Sequence, residues 1–155
     1  MTSQMPDKLK IKNKTRDIWG LPLHSYFEEN DIENRFQIRS FHTGCYRGYF
    51  ADWELIENKL FLTGLKVNTG DSKYIGIKEI FNINEDKVFA KWFTGIMFNE
   101  VEGTEVFRFG MVPEFDNHYD YHFEKGILDK VIEYEQYKPI KEYSFEEFMS
   151  ILFPS

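Results

Sequence analysis

The chain has 155 residues, enough for one domain with a buried core that needs neither metal nor disulfide support. Its 26 acidic and 19 basic residues give a formal charge of −7. That balance argues against binding to a nucleic-acid backbone, which needs a positive field, and suits a basic protein partner.

Cys45 is the only cysteine, so no intrachain disulfide forms, and a reducing, cytoplasmic setting is expected. No run of about 18 apolar residues is present, so no membrane span is expected. The polar, lysine-rich start lacks the apolar stretch of a secretory signal. Residues 1–155 read as a single domain, with a flexible stretch over about 1–8 and a C-terminal helix over 144–153.

In chain order, Leu9 and Ile11 alternate with lysines and predict a short edge strand. Gly20-Leu21-Pro22 marks a turn, and Pro22 suits the first position of a helix with Leu23, Tyr26 and Phe27 on one face. Residues 35–41 and 45–56 read as strands. In the second, Tyr49, Ala51, Trp53 and Leu55 point one way, and Phe50, Asp52 and Glu54 the other. Glu57-Asn58 predicts a hairpin turn, and 59–67 the returning strand with Leu60 and Leu62 buried. Ile77, Ile80 and Phe81 predict one helical turn.

Residues 87–98 read as one long strand with apolar side chains on both faces, and 104–112 as another. Residues 113–117 are expected as loop. Tyr119 to Phe123 and Ile127 to Tyr137 form a hairpin around Lys125-Gly126, and Pro139 is expected to end the sheet region. Ser144 and Glu147 make a capping box ahead of the apolar stripe Phe145, Phe148, Met149 and Leu152. These elements predict an α+β fold, mainly antiparallel β. The sheet is expected to be curved or barrel-like, with seven or eight strands and two or three short peripheral helices.

Phe50-Ala51-Asp52-Trp53 recurs as Phe89-Ala90-Lys91-Trp92. Duplication and shared strand chemistry both produce such a pair, and Trp53 and Trp92 read either as core anchors or as ligand-stacking platforms. Arg47 has the parity of the buried stripe, which suits either a rim arginine or a guanidinium that holds an anionic ligand. His118, Asp120 and His122 share one face of an extended segment, the right donor types for a metal ion but also an ordinary solvated face. Asp52 and Glu54 are a paired-carboxylate candidate for hydrolysis. Cys45 lies three residues from His42, but a buried inert thiol is the simpler reading. No phosphate-binding glycine loop, Rossmann fingerprint, nucleophile elbow or zinc-protease motif occurs.

The stretch 47–56, Arg-Gly-Tyr-Phe-Ala-Asp-Trp-Glu-Leu-Ile, is followed by Lys59-Leu60-Phe61-Leu62 and later by Ala90-Lys91-Trp92-Phe93-Thr94-Gly95. Together they resemble a family of small bacterial proteins with an Arg-Gly-Tyr-x-Ala-x-Trp-Glu strand and an Ala-x-Trp-Phe-x-Gly segment, over about residues 22–131. The resemblance implies a shared fold and no activity. The leading functional expectation is a non-enzymatic, protein-binding module of a bacterial cytoplasm, immunity-like, with no cofactor. One alternative is a small-ligand-binding sheet or barrel using Arg47, Trp53 and Trp92. Another is a hydrolase using paired carboxylates.

Overall fold

The computed structural model describes residues 5–41, 45, 47–100, 106–109, 112–115 and 117–154, with 106–109 and 112–115 described by backbone alone. His42 and Asp116 lie outside the described residues. The fold is α+β with mostly antiparallel strands, and the described residues hold twelve strands and four short helices. Both numbers exceed the expectation, because several strands are two to five residues long and carry too little pattern to read locally.

Strand β1 (Asp7–Ile11) alternates buried and exposed residues and turns into β2 (Lys14–Ile18). It is not an edge strand. It lies between β2 and β3 (Tyr49–Ile56) and pairs with β3 in parallel, Leu9 opposite Trp53. Asp7, inside the stretch read as flexible, is 1% exposed. Helix α1 (Leu23–Glu29) follows Pro22 and buries Leu23 and Phe27.

Residues 35–41 are not a strand: α2 (Ile32–Phe36) takes the first of them, and Gln37 ends it in the left-handed region at φ 53°. The alternation of Phe36 and Ile38 imitated a strand over a stretch too short to separate the two periods. β3 begins only at Tyr49, because Gly48, at φ 79°, bends the chain where a Cβ would lie 2.6 Å from the Arg39 carbonyl oxygen. From there Tyr49, Ala51, Trp53 and Leu55 are all buried, on the parity read from the sequence.

β3 turns at Glu57-Asn58 into β4 (Lys59–Asn68), which buries Leu60 and Leu62 completely. β5 (Tyr74–Ile75) pairs with the end of β4, and α3 (Ile77–Phe81) follows. The long strand expected over 87–98 is broken into β6 (Val88–Phe89) on β4 and β7 (Gly95–Glu100) on β10 (His118–Glu124). Residues 90–94 turn between them, with the Phe93 amide donating to the Ala90 carbonyl at 3.0 Å. Phe93 and Met97 are buried on either side of this turn, while Ile96 is exposed.

β8 (Val106–Phe109) and β9 (Val112–Phe115) form a separate two-stranded sheet, so residues 113–115 are strand rather than loop. The remaining expected ends of that segment, 104–105 and 110–111, lie outside the described residues. β10 and β11 (Ile127–Glu135) form the hairpin read around Lys125-Gly126. Pro139 does not end the sheet but sits in β12 (Lys138–Tyr143), which among the described residues pairs only with β11. A register shift between Glu133 and Tyr134 lies opposite it, and an edge strand tolerates the missing N–H.

The strand order is β2-β1-β3-β4-β11-β10-β7, with β12 on β11 and β5 and β6 on β4. Trp19, just after β2, exchanges two backbone hydrogen bonds with Phe98 of β7, at 2.9 and 3.0 Å. Helix α4 (Phe145–Leu152) starts at Ser144, whose hydroxyl accepts from the Glu147 amide while the Glu147 carboxylate accepts from the Ser144 amide. Its Phe148 packs edge-on against Tyr119 and Tyr121 on the inner face of β10.

Candidate functional site

Asp7 shares the buried parity of Leu9 and Ile11, so the β1 pleat carries its carboxylate inward. Both oxygens find donors. The Arg47 Nη2 donates to Oδ1 at 3.0 Å, and the indole Nε1 of Trp53 donates to Oδ2 at 2.9 Å. Arg47 Nη1 also donates to the Met5 carbonyl at 2.7 Å, which ties the start of the described chain to the turn before β3. Burial pushes the Asp7 carboxyl up from 3.8 to about 6, and the neighbouring Arg47 and Trp53 offset only part of that desolvation.

The same guanidinium lies over the Tyr49 ring, 5.0 Å from its centroid. Among the described residues, Arg47 Nε and Tyr49 Oη are buried without a hydrogen-bond partner. Burial also pushes the Tyr49 hydroxyl strongly up, so it stays protonated and able to donate. Cys45 is buried beside this cluster, its thiol donating to the Tyr49 carbonyl at 3.3 Å, with its pKa raised by burial. An inert thiol is what such surroundings produce.

Arg47 and Tyr49 line a cleft of about 470 Å³ between the α1–α2 pair and the start of β3. Phe27 and Ile38 supply apolar wall. Exposed His24, Glu28, Asp31 and Glu33 stand around it, together with Asn34. His24 Nε2 lies 2.9 Å from Glu28 Oε1, and the Asn34 amide donates to Asp31 at 2.8 Å. Three carboxylates therefore rim a cleft whose inner end carries Arg47, itself neutralised by Asp7.

The other sequence candidates do not line this cleft. Trp53 is 1% exposed and lies behind the cleft, its indole bonded to the Asp7 that also binds Arg47. Trp92 is half-buried beside Trp53, with ring centroids 6.4 Å apart; its indole donates to the Pro22 carbonyl at 2.9 Å, and it also packs against Tyr26 and Phe81. His118, Asp120 and His122 do share the outer face of β10. His118 stacks flat on Tyr134 at 4.6 Å and lies 3.3 Å from Asp120. Among the described residues no three His, Cys, Asp or Glu side chains are placed to hold a metal ion. Asp52 and Glu54 lie on the outer face of β3, in register with Lys8 and Lys10, and line neither this cleft nor a second cavity of about 290 Å³ beside α4.

Sequence reasoning missed Asp7 and the acidic rim. Asp7 was legible as the third member of the alternation with Leu9 and Ile11, had that alternation been extended backward past Lys8. The rim was not legible, because the carboxylates come from α1, α2 and the link between them, and only packing brings these to Arg47. Comparisons with protein-family models, curated proteins and solved structures gave no match. The fold and the cleft define a mainly antiparallel α+β protein with an acid-rimmed recess at one sheet end.

Proposed function

We propose that this protein is a non-catalytic module of a bacterial cytoplasm that binds a basic protein partner through the cleft between α1–α2 and β3. The observation that carries this reading is the rim of Glu28, Asp31 and Glu33 over a recess with apolar walls. Exposed carboxylates attract a cationic side chain at long range, and Phe27 and Ile38 give its aliphatic stem a surface to cover. The net charge of −7 acts in the same direction. An immunity-like role, the masking of a basic toxin surface, is the version of this reading that small size and acidity favour.

We also read the main sheet as curling toward a barrel. The Trp19–Phe98 bridge supports this, since it links the two ends of the strand order. A pocket inside that sheet formed by Arg47, Trp53 and Trp92 has less support. Trp53 and Tyr121 fill the interior, and Trp92 turns toward α1 and α3. Neither of the two cavities lined by described residues contains Asp52 or Glu54, which gives hydrolysis by that pair less support.

Calorimetric titration with an arginine-rich peptide, and with a glutamate-rich peptide of the same length, tests the reading. Binding of the basic peptide alone is expected, weakening as ionic strength rises. It is expected to fall at least about tenfold in a Glu28→Gln, Asp31→Asn, Glu33→Gln triple variant. An unchanged affinity in that variant rejects the cleft as the site.

A further inference from the structure

The inner end of the cleft carries a second and opposite signal. Of the five N–H donors of the Arg47 guanidinium, one on Nη1 goes to the Met5 carbonyl and one on Nη2 to Asp7. The Nε atom is buried with no partner among the described residues, and so is the hydroxyl of Tyr49, which is 2% exposed. Both side chains line the cleft, and the Arg47 side chain is 10% exposed. Buried donors without partners are destabilising, and a carboxylate is the acceptor that suits a guanidinium and a phenol together.

The cleft therefore offers carboxylates at its mouth and unused donors at its floor. A cationic side chain alone satisfies only the mouth, and a simple anion satisfies only the floor while meeting repulsion at the rim. A group that carries a cation and an anion a few bonds apart satisfies both. Building on the reading above, we propose that the cleft captures a chain end: the C-terminal arginine or lysine of the protein partner. Its side-chain cation lies among Glu28, Asp31 and Glu33. Its α-carboxylate accepts from Arg47 Nε and Tyr49 Oη. Internal basic residues have no carboxylate for the floor, so the site distinguishes the end of a chain from its middle.

The test is calorimetry with a hexapeptide ending in arginine as the free acid, the same peptide as its C-terminal amide, and free L-arginine. The acid is expected to bind at least about tenfold more tightly than the amide, the worth of a charge-assisted pair of hydrogen bonds. In Tyr49→Phe this preference is expected to shrink to about threefold or less. That variant deletes a buried hydroxyl without a partner among the described residues, so its thermal unfolding is expected at or above the wild-type temperature. Equal binding of acid and amide overturns the chain-end assignment and leaves the basic-partner reading standing. Binding of neither peptide overturns both. Free L-arginine binding as tightly as the peptide acid assigns the site to a free amino acid and overturns the chain end.

Discussion

Phe50-Ala51-Asp52-Trp53 and Phe89-Ala90-Lys91-Trp92 share three of four residues and fold differently. The first is regular strand, paired on one side with β1 and on the other with β4. The second starts as a two-residue strand and turns at Ala90. Both alanines are buried, but Trp53 is sealed in the core and held by Asp7, whereas Trp92 is half-buried and held by the Pro22 carbonyl. What separates them is the neighbour each meets. β1 extends the ladder beside the first. The tight turn at Gly126 presses on the second, its amide donating to the Phe93 carbonyl at 2.8 Å. Identical local chemistry supplies an apolar anchor in both places, and the surrounding chain decides whether the backbone stays extended.

The largest effect expected separates the two tryptophans. Trp53→Ala removes a fully buried side chain and leaves Asp7 without its indole donor, for a loss of about 5 kcal/mol. Trp92→Ala is expected to cost about 2 kcal/mol. Denaturant melts of both variants measure the difference, and equal losses would remove the contrast. Next, Arg47→Met leaves Asp7, the carboxylate that holds Trp53, buried without its cation. The expected loss is about 4 kcal/mol near pH 8, and smaller near pH 5, where Asp7 is protonated.

Asp7 also gives the first segment a pH signature. Its folded pKa, about 6, exceeds the unfolded value of 3.8, so between those values the folded protein holds more protons than the unfolded chain. Its contribution to stability is complete below about pH 4 and is lost as pH rises through 6, in all about 3 kcal/mol. Asp7→Asn cannot titrate. The stability of the wild type relative to this variant should therefore fall by that amount across the window, and parallel pH profiles would exclude the raised carboxyl.

The smallest effect tests the second segment. A Cβ at Gly126 would lie 2.5 Å from the Ala90 carbonyl oxygen, and the residue sits at φ 80°. Gly126→Ala is expected to cost about 2 kcal/mol. Amide exchange should speed up at Ala90 and Phe93 while that of Ala51 and Trp53 stays unchanged. Uniform acceleration would mean that the turn is not locally held by that glycine.

Read alone, the amino-acid sequence determined which faces are buried and where several elements begin. The alternation from Tyr49 to Leu55 set the inner face of β3, Ser144 and Glu147 set the start of α4, and Lys125-Gly126 set the β10–β11 hairpin. These are local signals, carried by side chains two to four residues apart, where pleat and helix geometry act directly. Only the tertiary structure decided that Asp7 meets Arg47 across 40 residues, that 87–98 breaks at Ala90, and that Glu28, Asp31 and Glu33 gather above Tyr49. Periodicity says that a side chain faces inward but not which distant strand or helix it finds there. The choice of partner is made by packing of the whole chain, and the candidate site lies where three such choices coincide.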